Sequence, residues 1–313
     1  FAVYAILDGF DLGIGIMLPF LSKGEEDTRV LFKAIGPLWD GNEVWLLTAG
    51  GALFAAFPNV YATVFSGFYI PMMLIIFSLI FRAVSLEFWS LSENKANTVW
   101  TKTFTIGSLL PSLLFGVAIG NIILGIPLDN SMNYTGGFFM LLRPFPLIIG
   151  LLGVSFIILQ GLTFTIYKTE GELQKRAKDL LNKIWIVVVV LTALSLILSF
   201  VFIGDRVSRF VPWVFTVILI AGIVLVKVFN KNGKEIQTFF ASSISFASLW
   251  GLTGSLLFPA LVKTTTENDM LLTKVSSSAL TLQTMLIIAA IGMPLVIMYT
   301  IYVYKLFKGK VAD

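Results

Sequence analysis

The chain has 313 residues, and its composition is too apolar for a water-soluble protein of that size. Hydrophobic residues make up 57% of the sequence and charged residues 13%, whereas soluble domains have roughly 45–50% and roughly 25%. The sequence contains neither Cys nor His. This excludes disulfides and thiolate sites and removes the commonest protein ligand for haem, copper and zinc. If the protein takes part in redox chemistry, we expect another chain to hold the metal.

Apolar stretches long enough to cross a bilayer of about 30 Å predict an all-α polytopic membrane protein, with 1–313 as a single integral-membrane domain. The first stretch is already apolar at Phe1, so we expect the N-terminal part of the first helix to be missing. About nine spans are predicted, at 1–20, 35–57, 62–89, 104–126, 140–167, 184–203, 211–229, 237–262 and 281–306.

Most of the 22 Lys and Arg residues fall in alternate loops, and this bias predicts the orientation of the chain. Basic residues mark the cytoplasmic side, so the C-terminus is expected in the cytoplasm and, with an odd number of spans, the N-terminus outside. The net charge of +4 then reflects the inner membrane face, and nucleic acid is not needed to explain it. The basic residues of the predicted outer loops are Arg206, Arg209, Lys263 and Lys274.

Two pairs of acidic residues lie at predicted membrane depth, where a charged side chain costs roughly 2.5–3.5 kcal/mol. Asp8 and Asp11 belong to the first span, and Asp40 and Glu43 to the second. Each pair is spaced i, i+3 and therefore shares one helical face. If the two spans pack as an antiparallel hairpin, the four carboxyl groups form a ladder from the cytoplasm toward mid-membrane. Buried carboxyl groups can exchange protons near neutral pH, so a proton-uptake path and a structural polar cluster are both open interpretations.

Two further polar side chains in the predicted spans bear on these acids and on helix packing. Arg82 lies near the cytoplasmic end of the third span and is a candidate charge partner for one of the acids. Snorkelling of its guanidinium to the membrane surface is the favoured explanation. Gln160 is expected to hydrogen-bond between helices.

Several of these segments together resemble subunit II of the cytochrome bd-type quinol oxidase family. The resemblance covers essentially the whole chain and is most specific in the second span. The segments that carry it include DGFDLGIG (8–15), IGPLWDGNEVWLLTAGGALFAAFPNVYA (35–62), FSGFYIPM (65–72), FRAVSLEF (81–88) and YTGGFFMLLRPF (134–145).

The resemblance implies two four-helix bundles plus one peripheral helix, in the bacterial cytoplasmic membrane. It implies a heterodimer with a haem-bearing subunit I, which would carry two b-type haems, one d-type haem and the site for the quinol substrate. This chain would bind none of these cofactors and would supply cytoplasmic protons for the reduction of oxygen to water. By the resemblance the pathway acid is Asp40, with Asp8 and Asp11 lining the same region, whereas Glu43 is replaced by Gln in some relatives. A small third subunit and a quinone or lipid among the helices stay open.

Two other functions remain open on the sequence. A proton-coupled secondary transporter would use the same four acids. Transporters often show inverted repeats with polar sites at the midplane, whereas these acids cluster in the first two spans. A purely structural membrane scaffold would leave the acids without a role. The motif match ranks the oxidase subunit first.

Overall fold

The computed structural model describes residues 1–91, 95–265 and 269–311, with the side chains of 95–97 excepted. These residues are mostly helical. The first six helices are α1 (Ala2–Leu21), α2 (Glu25–Ile35), α3 (Trp39–Ala56), α4 (Pro58–Gly67), α5 (Tyr69–Leu91) and α6 (Lys95–Leu124). The next six are α7 (Pro144–Lys168), α8 (Gly171–Val207), α9 (Phe210–Lys231), α10 (Glu235–Leu257), α11 (Leu272–Val275) and α12 (Ala279–Leu306). A 3-10 turn, Phe138–Leu141, precedes α7, and the strands β1 (Ala260–Val262) and β2 (Met270–Leu271) pair antiparallel.

Within the described residues, eight helices are long and apolar enough to cross a membrane, namely α1, α5, α6, α7, α8, α9, α10 and α12. The predicted all-α, multi-pass membrane fold is therefore confirmed. The remaining predicted span corresponds to α3, which has 18 residues. Its first two turns carry Asp40, Asn42 and Glu43, and these polar residues lower its hydropathy below that of the other spans.

Four predicted spans have different limits in the structure. The span 104–126 corresponds to α6, which begins earlier, at Lys95. The span 62–89 is interrupted at Phe68, where α4 ends and α5 begins. The span 184–203 is only the central part of α8, because the charged segment before it continues the helix back to Gly171. The span 237–262 ends early, since α10 stops at Leu257 and Pro259 has no N–H to continue a helix.

The first predicted inner loop contains α2, which the sequence analysis did not anticipate. Acidic residues in its first turn and Lys33 in its last turn complement the helix dipole. Its apolar face is buried, and the Phe32 ring lies 5.1 Å from that of Trp89 and 5.0 Å from that of Phe104. A short amphipathic helix lacks the long apolar run by which the spans were predicted, so it was missed.

The core is built around α7, which contacts α1, α6, α8 and α10. Glycines bring α1 and α7 together: a Cβ atom on Gly13 would lie 2.1 Å from the carbonyl oxygen of Ile157, and one on Gly161 would lie 2.4 Å from the carbonyl carbon of Gly13. Such small residues let membrane helices approach at backbone distance. By contrast, α12 has no buried residue and packs mainly on α3, as a peripheral helix would. The grouping of the other helices into two bundles stays a prediction.

Candidate functional site

A buried ion pair joins α1 to α5 inside the first half of the chain. Arg82 Nη2 lies 2.7 Å from Asp8 Oδ1, and Arg82 Nη1 donates to Asp8 Oδ2 at 3.3 Å. Arg82 is 1% exposed and Asp8 is fully buried. The snorkelling interpretation of Arg82 was therefore wrong, because the guanidinium is buried within the protein and pairs with a carboxylate of α1. A bidentate pair of this kind fixes the orientation of both side chains.

Two more carboxyl groups lie next to this pair. Glu43 Oε2 is 4.0 Å from Arg82 Nη1. Asp11, fully buried, accepts a hydrogen bond from Asn42 Nδ2 at 2.8 Å, and the same amide nitrogen donates to the carbonyl of Leu7 at 3.3 Å. We define Asp8, Asp11, Asn42, Glu43 and Arg82 as the acidic cluster.

The helices that carry the acidic cluster are held close by their sequence. Asp8 and Asp11 share one face of α1, and that face is turned toward the first turns of α3 and the middle of α5. Gly107 on α6 allows α5 to approach, since a Cβ atom there would lie 2.8 Å from the Ser78 carbonyl oxygen and 3.0 Å from the Arg82 backbone nitrogen. The packing of α1, α3 and α5 thus places the carboxyl groups of Asp8 and Glu43 at the guanidinium of Arg82.

Asp40 stands apart from the acidic cluster. It is exposed in the first turn of α3, one turn before Glu43. The structure therefore gathers three of the four predicted acids and leaves the fourth on the open side of α3. That side continues as an exposed stripe along the helix, comprising Asp40, Val44, Leu47, Thr48 and Gly51.

Two polar residues of this region were missed by the sequence analysis. Asn42 bridges α3 to Asp11, and Tyr304 near the end of α12 donates its hydroxyl to Asn42 Oδ1 at 2.9 Å. Asn42 had a usable signal, because it lies between two acids in the WDGNEVW segment at the same membrane depth. Tyr304 had none, because an aromatic residue near a span end is most often an interfacial anchor.

Two atoms of the acidic cluster lack a hydrogen-bond partner among the described residues. They are Asp11 Oδ1 and Arg82 Nε, and both are buried. Most buried polar atoms in proteins are hydrogen-bonded, so unpartnered ones call for an explanation.

A second buried polar group lies between α7 and α10 and carries no charge. Gln160 Nε2 donates to Ser243 Oγ at 2.7 Å and to the Ile6 carbonyl at 3.3 Å, and its Oε1 accepts from Ser242 Oγ at 2.6 Å. Thr163 Oγ1 lies 2.8 Å from Ser242 Oγ. We define Gln160, Thr163, Ser242 and Ser243 as the amide cluster. It provides the interhelical hydrogen bonds that the sequence predicted for Gln160.

Comparison with known proteins identifies the family. A family model described as cytochrome bd terminal oxidase subunit II matches residues 1–307. The chain belongs to this family. It is accordingly a subunit of a quinol oxidase, which is an oxidoreductase complex.

Individual relatives of this subunit II agree with the family match. Cytochrome bd-I ubiquinol oxidase subunit 2 of Escherichia coli K12 is 34% identical, over 98% of this chain and 91% of that protein. Cytochrome bd ubiquinol oxidase subunit 2 of Bacillus subtilis is 33% identical, over 100% of this chain and 94% of that protein. In the structure of the bd oxidase from Geobacillus thermodenitrificans, one chain shares the fold with a TM-score of 0.80 at 16% identity, covering 97% of this chain and 94% of that one.

The donor set of this subunit II does not fit a haem or metal centre. Haem iron in proteins is held chiefly by His, Cys, Met or Tyr, and the sequence has no His and no Cys. Among the residues that the structure describes, no group of three or more Asp and Glu side chains is arranged to hold a metal ion. Carboxyl groups such as those of the acidic cluster can bind and release protons.

Proposed function

We propose that this chain is the non-haem subunit II of a quinol:oxygen oxidoreductase and conducts cytoplasmic protons toward the site where oxygen is reduced to water. It would also support a haem-bearing subunit I, which would hold the two b-type haems, the d-type haem and the quinol site. The proposed route uses Asp40, Glu43, Asp11 and Asp8, with Arg82 as their charge partner.

The observation that carries this proposal is the composition of the acidic cluster. The carboxyl groups of Asp8 and Glu43 share the guanidinium of Arg82, and Asp11 lies on the same face of α1 as Asp8. Ionisable residues at membrane depth mark ion or proton routes by default. A purely structural pair would need one acid for Arg82. The additional carboxyl groups of Asp11 and Glu43 supply places where a proton can be held.

The exposed position of Asp40 supports a route that crosses between subunits. Asp40 lies on the open stripe of α3, and Leu47 on the same stripe is 73% exposed. An apolar helix face of this kind is covered in a membrane protein by lipid or by another subunit. If subunit I packs there, Asp40 lies at the contact, one turn from Glu43 and the acidic cluster.

The proposed orientation places the C-terminus in the cytoplasm and the N-terminus outside. Lys305 lies in the last turn of α12, Lys308 and Lys310 follow it, and all three agree with the positive-inside rule. In this orientation α3 begins at the cytoplasmic side, so Asp40 is the first acid that a proton from the cytoplasm would meet. A small third subunit, and a quinone or lipid between the helices, remain expectations.

The test is replacement of Asp40 by Asn in the complex purified with its native partner. We expect quinol-driven oxygen consumption to fall by about two orders of magnitude, the typical contribution of a proton-transferring group. Assembly and haem content should be unchanged. Proton uptake measured in proteoliposomes should fall in parallel. Asp11→Asn should behave similarly, and Glu43→Gln should be milder.

The matched control is Glu172→Gln on α8, where the side chain is 77% exposed and remote in sequence from the acidic cluster. It removes a carboxylate from the cytoplasmic face and should leave turnover unchanged. Full turnover in assembled Asp40→Asn would contradict the role of Asp40. Solute uptake coupled to protons by this chain alone would support the transporter alternative, which the family match disfavours.

A further inference from the structure

We infer that Tyr304 on α12 is a positioning residue that fixes the amide of Asn42 and, through it, the hydrogen bonding of Asp11. The chain of contacts is short. Tyr304 donates its hydroxyl to Asn42 Oδ1 at 2.9 Å, and Asn42 Nδ2 donates to Asp11 Oδ2 at 2.8 Å. The effect on turnover rests on the proposed proton route, whereas the effect on Asp11 does not.

The direction of each hydrogen bond follows from the chemistry of the groups. The Leu7 carbonyl can only accept, and it lies 3.3 Å from Asn42 Nδ2. The nitrogen end of the amide must therefore face Leu7 and Asp11, which leaves Oδ1 facing the hydroxyl of Tyr304. That hydroxyl must donate. If the Tyr304 hydroxyl is removed, Asn42 Oδ1 loses its hydrogen-bond donor. The amide is then less firmly oriented, and the hydrogen bond from Asn42 Nδ2 to Asp11 weakens.

Asp11 depends on the Asn42 amide for its hydrogen bonding, whereas its neighbour Asp8 does not. Asp8 is held by two nitrogens of Arg82, whereas Asp11 accepts from Asn42 through Oδ2 and its Oδ1 has no partner among the described residues. The charged and titratable groups that act on Asp11 are Asp8 on α1, Glu43 on α3, Arg82 on α5 and Tyr304 on α12. A hydrogen bond to an ionised group is about twice as strong as a neutral one. The single donor, Asn42 Nδ2, therefore affects the ionised form of Asp11 more than the protonated form.

Tyr304 is held in place although its helix contributes no buried residue. Its ring meets the edge of Phe10 on α1 with centroids 6.5 Å apart. The chain after α12 is tied to the cytoplasmic ends of the core helices by residues 307–311, which we define as the strap. Lys168 Nζ donates to the carbonyl oxygens of Phe307 and Gly309, and the Val311 N–H donates to the Lys168 carbonyl at 2.8 Å.

The strap has a second attachment on α10. Lys310 Nζ donates to the Glu235 carboxylate at 2.6 Å and to the Thr169 carbonyl at 2.9 Å. The strap begins three residues after Tyr304, so it restrains the last turn of α12 against the end of α7 and the start of α10. The position of a hydroxyl on an otherwise exposed helix is thereby fixed relative to the acidic cluster.

The test compares Tyr304→Phe with Tyr302→Phe in the assembled oxidase complex. Tyr302 lies on the same helix, is 63% exposed, and loses the same atom. The primary readout is infrared difference spectroscopy of carboxyl C=O bands during a pH titration, with Asp11→Asn used to assign the Asp11 band. The second readout is the pH profile of quinol oxidation.

We expect Tyr304→Phe to shift the Asp11 band and to move the pH profile by about one pH unit, the size expected when a carboxylate loses a charge-assisted hydrogen bond. Tyr302→Phe should do neither. Asn42→Ala should reproduce the band shift, and adding Tyr304→Phe to it should cause no further shift. An Asp11 band and pH profile identical to wild type in Tyr304→Phe would overturn the inference.

Two further outcomes separate this inference from the proposed function. If Asp11→Asn retains full turnover while Tyr304→Phe shifts the Asp11 band, the proton route through Asp11 fails and the positioning role stands. If Asp11→Asn loses turnover while Tyr304→Phe leaves band and pH profile unchanged, the positioning role fails and the route stands. Lys310→Ala provides an independent variant, because it loosens the strap without removing the hydroxyl. It should give a smaller band shift in the same direction, and no shift would count against the restraint.

Discussion

The acidic cluster and the amide cluster are both buried polar groups that link membrane helices, yet they differ in charge and in how completely they are satisfied. In the amide cluster, Gln160 is bonded at both ends of its amide, and Ser243, which accepts from Gln160, donates to the Phe239 carbonyl. In the acidic cluster, Asp8 and Glu43 share one guanidinium, and Asp11 Oδ1 and Arg82 Nε have no partner among the described residues.

This contrast separates two uses of polarity in a membrane protein. Neutral amides and hydroxyls that satisfy one another hold helices together at modest free energy, about 0.6 kcal/mol for an average hydrogen bond between membrane helices. Charged groups are far more costly to bury and are retained where an ion or a proton must be handled. The amide cluster therefore serves packing, and the acidic cluster is where function is to be sought.

The largest expected effect comes from removing the cation of the acidic cluster. Arg82→Met leaves Asp8 buried without its partner, and breaking a buried pair in this way costs about 3–5 kcal/mol of stability. We expect a low yield of assembled complex and a large fall in its melting temperature. The control is the double variant Asp8→Asn with Arg82→Met, which removes both charges and should recover most of the stability. A single variant as stable as wild type would mean that Asp8 is satisfied in another way.

A substantial effect is expected where α1 crosses α7, beside the amide cluster. In Gly161→Ala, the new Cβ atom would lie 2.4 Å from the Gly13 carbonyl carbon, and a backbone atom cannot rotate away. Overpacking of this kind costs about 1–3 kcal/mol, and because α1 also carries Asp8 and Asp11, turnover should fall too.

Gly254→Ala on α10 is the matched control for the crossing. Nothing lies within 4 Å of its new Cβ atom. Ala is favoured over Gly in helices by about 1 kcal/mol, so this variant should be as stable as wild type or more so. The melting temperatures of assembled Gly161→Ala and Gly254→Ala are compared by thermal unfolding. Equal melting temperatures would refute the close crossing of α1 and α7.

The smallest effect is expected within the amide cluster itself. Gln160→Leu removes the interhelical hydrogen bonds but leaves Ser242 and Ser243 able to bond to Phe239, so the loss should be about 0.6 kcal/mol for each bond removed. Oxygen consumption and its pH profile should match wild type. Loss of turnover in a well-assembled Gln160→Leu complex would show that the amide cluster has a functional role and would remove the distinction between the two regions.

Much of the fold was predictable because membrane spans depend on a property of local sequence. Long apolar runs located all nine predicted helices, including the eight that qualify as spans and the more polar α3. The errors fall where a helix does not depend on an apolar run. The amphipathic α2 and the charged first turns of α8 both lie outside the apolar stretches. The break at Phe68 lies within an apolar stretch, the predicted span 62–89.

The candidate site was predictable in composition but not in pairing. The i, i+3 spacing placed Asp8 and Asp11 on one face of α1, and the structure turns that face toward α3 and α5. The choice of Asp8 as the partner of Arg82 depends on how α5 packs in the bundle, and Gly107 permits its close approach to α6. No local pattern encodes that distance. Tyr304 lies far from Asn42 in sequence, so its contact could not be inferred at all.

The sequence by itself determined that the chain is a multi-pass helical membrane protein, and its motifs determined the family, because both are written in runs of neighbouring residues. Only the tertiary structure decided which acids meet the guanidinium, that Asp40 stays on the open face of α3, and that α12 brings a hydroxyl to Asn42. Those outcomes depend on helix crossings and on the strap, because contacts between residues distant in sequence determine which side chains come within hydrogen-bonding distance.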